Sequence, residues 1–150
     1  MSNSTKTANA RLILPALAPV YAATQPLAQA LMRVIAGVAL AMHGWPKIQS
    51  PLGTVEMVQG LGFYPGAFWA VALAVTEFFG GILLILGLLT RPVALAASFV
   101  LLVTVYFHWV KLGQGYKGAE LSLIWMGVTM YFAAHGGGRF SLDRLIGRQF

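Results

Sequence analysis

Residues 66–110 read GAFWAVALAVTEFFGGILLILGLLTRPVALAASFVLLVTVYFHWV, and their only Asp, Glu, Lys or Arg side chains are Glu77 and Arg91. The apolar run 66–89 rises ~36 Å as a helix. That exceeds the ~30 Å hydrocarbon layer of a bilayer, so the run predicts a tilted membrane span. Thr90-Arg91-Pro92 makes a short turn, and apolar sequence resumes to residue 110. Such a tight connection predicts two antiparallel neighbouring helices.

The rest of the chain has the same character. Of 150 residues, 58% are hydrophobic and 9% charged, whereas an average soluble domain carries about a quarter charged residues. A chain this poor in charge cannot clothe a water-facing surface, so lipid takes that place. Ten Lys/Arg against four Asp/Glu give a net charge of +6, but the basic residues lie between apolar stretches and form no nucleic-acid-binding run. There is no cysteine, which excludes thiol chemistry, disulfides and cysteine-ligated iron–sulfur clusters within the chain. Haem and nucleotide motifs are absent, as are GxSxG and HExxH signatures.

Two more apolar segments, at 26–44 and 119–135, complete the pattern. The first has Pro26 at its start and Gly44 at its end, the usual helix punctuation. The predicted fold is all-α, a four-helix transmembrane bundle. Residues 1–25 form a cytoplasmic or interfacial segment, 26–135 the membrane bundle, and 136–150 a cytoplasmic tail. Leu52, Val55, Val58 and Leu61 recur at threes in the first outer loop, which suits a short helix on the membrane surface or folded back over the bundle mouth. Gly136 to Gly138 stop the last span, and Ser141 is positioned to cap a short helix bearing Arg144 and Arg148. Lys6, Arg11, Arg91, Arg139, Arg144 and Arg148 fall on one side of this topology, and Lys47, Lys111 and Lys117 on the other. The positive-inside rule then puts both termini in the cytoplasm.

Ionisable residues inside spans are costly and point to function or to a specific partner. Counted from Gly44 and from Gly66, Arg33 and Glu77 each lie 11 residues down, ~16 Å, so equal depth predicts an intramembrane ion pair. Arg33 shares a face with Gly37, Leu40 and Gly44, and Glu77 with Ala70, Ala74 and Gly81. Small residues at this spacing let two helices approach closely. A second polar layer comprises His43, His108 and Glu120 near the outer boundary, flanked by Trp45, Lys47 and Trp109. Imidazoles beside a carboxylate can hydrogen-bond or relay protons. His43, His108 and Glu120 also match the ligand set of a two-His, one-carboxylate metal site, although no local spacing motif specifies one.

Arg33 with Gly37, His43-Gly44 with Lys47, Glu77 before Gly80-Gly81, and Leu86-Gly87 before Thr90-Arg91 occur in order. His108-Trp109, Glu120 and Gly-Gly-Gly-Arg-Phe-Ser-Leu-Asp at 136–143 follow. This pattern over residues 26–143 resembles the DoxX family of small bacterial membrane proteins. The resemblance implies a multi-pass protein of the bacterial inner membrane, associated with redox systems and with quinone-linked oxidation. Its matched polar positions are Arg33, His43, Lys47, Glu77, His108 and Glu120.

Three functions compete on these residues. A membrane subunit of a quinone-linked oxidoreductase would bind quinone or quinol in the outer half of the bundle, receiving electrons through a partner protein. A non-enzymatic scaffold or assembly subunit would use the ion pair only to hold the bundle for a partner protein or within a homo-oligomer. A small transporter would need a pore that four short spans hardly provide, and no inverted repeat is visible.

Overall fold

The computed structural model describes residues 12–147, so Lys6, Arg11 and Arg148 lie outside the described residues. All regular structure among those residues is helical. A 3-10 turn, Pro15–Leu17, leads into α1 (Ala18–Gln49), followed by α2 (Val55–Gly60), α3 (Gly66–Leu86), α4 (Thr90–Tyr106), α5 (Gly115–His135) and α6 (Leu142–Leu145). Among the described residues, three stretches are long and apolar enough to cross a membrane: Pro15–Gln49, Gly66–Leu86 and Thr90–Lys111. Large apolar side chains such as Leu31, Ile35, Phe79, Leu95 and Ile124 are exposed along the long helices, as a lipid-facing surface requires.

Helix α1 departs from its predicted limits of 26 and 44, because neither Pro26 nor Gly44 ends it. It runs for 32 residues, ~48 Å. Proline inside a membrane helix is tolerated where other groups satisfy the carbonyls it frees. Pro46 removes the donor for the Met42 carbonyl, and one residue on the Lys47 ammonium donates to the His43 carbonyl at 3.1 Å. Gly44 is a contact residue. A Cβ there would sit 2.4 Å from the Phe78 amide nitrogen, so only hydrogen fits.

The same close approach sets the register of α1 against α3. Gly37 faces Gly81 and Ile85, Gly81 faces Ala41, and Gly44 faces Glu77 and Phe78. The rising α1 numbers meet falling α3 numbers, so the pair is antiparallel. Ala70, Ala74, Gly80 and Gly81 of α3 are buried, as are Ala36, Gly37, Leu40 and Gly44 of α1. Helices α4 and α5 form a second pair. Ala94, Ala97, Ala119 and Phe132 are fully buried there, and the Ser98 hydroxyl donates to Thr129 Oγ1 at 2.8 Å. The two pairs enclose a cavity between them.

Helix α3 ends at Leu86, three residues before the predicted 89. Gly87, at φ 68°, accepts the left-handed turn, and the Gly87 and Leu88 amides donate to the Leu84 and Leu83 carbonyls at 3.1 and 3.0 Å. This is the double bond of a Schellman helix stop. Leu89 is also left-handed, at φ 50°, although it carries a side chain. At the far end of α4, residues Phe107–Lys111 wind as a π-helix, with the Leu112 amide donating to the Phe107 carbonyl at 2.9 Å. Helix α5 begins at Gly115, earlier than the predicted 119, and stops at the glycines as expected. Ser141 caps α6 by accepting from the Arg144 amide at 3.4 Å.

Candidate functional site

The antiparallel register separates the two ionisable residues predicted to pair. With Gly44 beside Glu77, the Gly66 end of α3 lies about 11 residues, ~16 Å, beyond Gly44 along the axis. Equal counts from Gly44 and from Gly66 therefore do not give equal depth. Glu77 forms its ion pair with Lys47 instead, and Arg33 lies near the opposite end of α3. The Arg33–Glu77 pairing is thus replaced by two separate polar sites, one at the histidine end of the molecule and one at the arginine end.

At the arginine end, the guanidinium of Arg33 closes helix ends. Its Nη1 donates to the Leu84 and Ile85 carbonyls at 2.7 and 3.0 Å, and its Nη2 donates to the Phe140 carbonyl. Those carbonyls lie in the last turn of α3, where the negative end of the helix dipole suits a cation. Asp143 supplies the complement at α4. Its two carboxylate oxygens accept from the Leu89 and Thr90 amides at 2.8 and 2.9 Å, while its own amide donates to the Gly87 carbonyl at 2.9 Å. Gly87 has no room for a side chain, since a Cβ would lie 2.2 Å from Arg33 Nη1. Sequence reasoning included Asp143 in the closing motif but gave it no capping role. The missing signal was that Leu89-Thr90-Arg91-Pro92 starts a helix without an acidic cap, so its amides needed a distant acceptor.

The histidine end holds a cavity of about 650 Å³ between the two helix pairs. That volume lies within the range of small-molecule sites, ~300–1,000 Å³. His43 and Lys47 reach it from α1, Thr76 and Glu77 from α3, and Thr104 from α4, joined by His108 from the π-helical turn. Single π turns recur at functional sites because they shift the helix face locally. Lys47 and Glu77 are largely buried, with side-chain exposures of 23% and 10%, and each neutralises the other. Burial of either charge alone would cost several kcal/mol. His108 Nδ1 lies 2.8 Å from Gln114 Oε1; with the amide oxygen accepting, the neutral ring keeps Nε2 as an acceptor. Gln114 was not anticipated from the sequence.

The remaining walls are apolar and aromatic. Phe63, Trp69 and Phe99 cluster with ring centroids 5.1 to 6.5 Å apart, and Trp125 contributes from α5. The short α2 folds over the mouth with Val58 buried, so of the two placements open to this segment the structure takes the second. Three of the predicted site residues stand apart. Glu120 is exposed and Trp45 turns its ring onto Phe78, 5.5 Å between centroids, and neither lines the cavity. Trp109 faces Tyr116 and a neighbouring groove. Among the described residues no group of three His, Asp or Glu side chains can hold a metal ion, so the triad of His43, His108 and Glu120 is not assembled. The reason is helical: Glu120 follows the buried Ala119 and points away from the packed face.

Apolar helices zipped by small residues, lipid-facing leucines and a largely apolar cavity holding a few charged groups define an α-helical membrane protein. The DoxX family profile matches residues 28–109, and the chain belongs to that family. It is 30% identical over 117 residues to the Bacillus subtilis (strain 168) protein named "Putative oxidoreductase CatD", covering 77% of this chain and 84% of that relative. It is also 30% identical over 125 residues to the Escherichia coli (strain K12) inner membrane protein YqjF, covering 79% and 91% of the two chains. With the inner membrane protein YphA of the same organism the identity is 28% over 132 residues, covering 83% and 94%. No solved structure matches the chain at a significant level.

Proposed function

We propose that this DoxX protein is a multi-pass subunit of the bacterial inner membrane that binds quinone or quinol in the cavity at its histidine end. The observation that carries the reading is the shared position of Lys47, Glu77, His43 and His108 in one otherwise apolar, aromatic-walled space. A quinone is a flat apolar ring with two carbonyl oxygens. Lys47 and an imidazole N–H can donate to those oxygens, Glu77 can accept a proton from a quinol hydroxyl, and Trp69 and Trp125 offer faces for the ring. The relative named as an oxidoreductase points the same way. Electrons enter from a redox partner protein or a bound cofactor, since the chain has no cysteine for an iron–sulfur cluster of its own.

In this reading α5 crosses the bilayer as the fourth span, both termini are cytoplasmic, and the histidine end faces outward. The binding test uses protein reconstituted in lipid nanodiscs and titrated with a ring-only benzoquinone. Saturable binding that weakens about tenfold in His43→Ala is expected, the loss of roughly one good hydrogen bond donated by the ring N–H. Absence of saturable binding, or equal binding by the variant, refutes it. The topology test exploits the lack of cysteine. Leu52→Cys should react with an impermeant maleimide in intact cells, and Leu145→Cys only after permeabilisation. The reverse pattern inverts the assignment.

A further inference from the structure

Beside the main cavity lies a second hollow, of about 580 Å³, against the outward flank of α4. Leu61, Phe63 and Val103 line both spaces, so three side chains form a common wall between them. On its far side the groove is bounded by Leu102, Tyr106, Trp109 and Val110, and no charged residue lines it. These four are exposed, between 43% and 60%, on a helix apolar enough to cross a membrane. Hydrocarbon is therefore the medium that meets them.

Two of the helix seams beside the main cavity are shut. Helices α1 and α3 touch backbone to backbone at Gly37, Gly44 and Gly81. The α4–α5 seam is closed by fully buried alanines and the Ser98–Thr129 hydrogen bond. The charged and imidazole groups lie only in the main cavity, and the groove that adjoins it through Val103 is purely apolar and aromatic. A site divided in this way suits an amphiphile with a polar ring and a hydrocarbon tail.

Building on the quinone reading, we infer that the groove between the α2–α3 loop and residues 102–110 holds the ligand's hydrocarbon tail, and that the ligand enters sideways from the bilayer past Val103. The ligand class is thus a long-chain, membrane-dissolved quinone, and a water-soluble ring compound is not its natural occupant. Moving a tail from lipid to an apolar groove changes its surroundings little, so the tail guides entry without adding much affinity.

The test is photo-crosslinking of protein in lipid nanodiscs, with a decyl-substituted benzoquinone bearing a diazirine at the tail end. Label is expected within residues 102–110, and excess ring-only benzoquinone should displace it. A Val103→Trp variant, which fills the passage, should weaken binding of the decyl compound about tenfold while changing ring-only binding less than about twofold. Displaceable label confined to α1 or α5, or label at 102–110 that the ring compound does not displace, overturns the tail groove and leaves the ring site standing. If the ring-only compound does not bind the unmodified protein, the quinone reading falls and the groove assignment with it. The crosslinking needs no variant, so misfolding of Val103→Trp would not rescue the inference.

Discussion

Replacing Gly44 by alanine should loosen the α1–α3 pair, and the size of the effect follows from the contact. The added Cβ would stand 2.4 Å from the Phe78 nitrogen and 2.7 Å from both the Phe78 Cα and the Glu77 carbonyl carbon. All three are backbone atoms, so no side chain can rotate aside. Relief requires α1 and α3 to separate by about 1 Å. Overpacking of this kind costs ~1–3 kcal/mol, and an immovable neighbour places Gly44→Ala near the upper end. Alanine returns ~1 kcal/mol through its better helix propensity, leaving a net loss of ~2 kcal/mol. The matched control is Gly127→Ala in α5, where a Cβ meets nothing within 4 Å and only the propensity gain remains. Thermal unfolding in detergent, followed by tryptophan fluorescence, should show Gly44→Ala melting ~4–8 °C lower, using ~2–4 °C per kcal/mol for a chain of this size. Gly127→Ala should melt no lower than the parent. Equal shifts in both variants would refute the claim that backbone contact at Gly44 holds the pair.

Asp143→Ala removes the acceptor of the Leu89 and Thr90 amides and should destabilise the protein by ~1–2 kcal/mol. Hydrogen exchange at those two amides should accelerate selectively, and unchanged protection would show that water caps α4 as well. Glu77→Gln or Lys47→Met alone strands a largely buried charge, so each should cost up to ~3 kcal/mol, while the double variant should be more stable than the worse single one. Strictly additive losses in that cycle would mean that the pair is not coupled. Arg33→Lys keeps the charge but cannot span the Leu84, Ile85 and Phe140 carbonyls at once. Its tail should therefore be cut faster by trypsin at Arg139, and equal cleavage rates would sink the idea.

The helices themselves were legible in the sequence because long uncharged runs permit little else. So were their faces: Gly37, Leu40 and Gly44 on α1 and Ala70, Ala74 and Gly81 on α3 are indeed the buried residues. The axial offset between the two helices was not legible. Gly44 looks like a helix stop when read along one chain, and its role as a contact appears only once α3 lies against it. That single misreading carried Arg33 and Glu77 to the same depth. Counting along their helices grouped His43 and His108, and both line one cavity, whereas Glu120 was misdirected because the first turns of α5 have no strong apolar periodicity. The Asp143 cap joins residues more than 50 positions apart, and no local pattern announces such a bond.

The arginine-end clamp also has a consequence for biosynthesis. Phe140 and Asp143 leave the ribosome after every helix end that they bind. Leu89 adopts its left-handed turn at a cost of ~1–2 kcal/mol, and until residue 143 emerges its amide and that of Thr90 have no carboxylate to accept them. The α3–α4 hairpin therefore waits uncapped for a segment made after it. Closure of the bundle at this end is a signal that translation has passed residue 143.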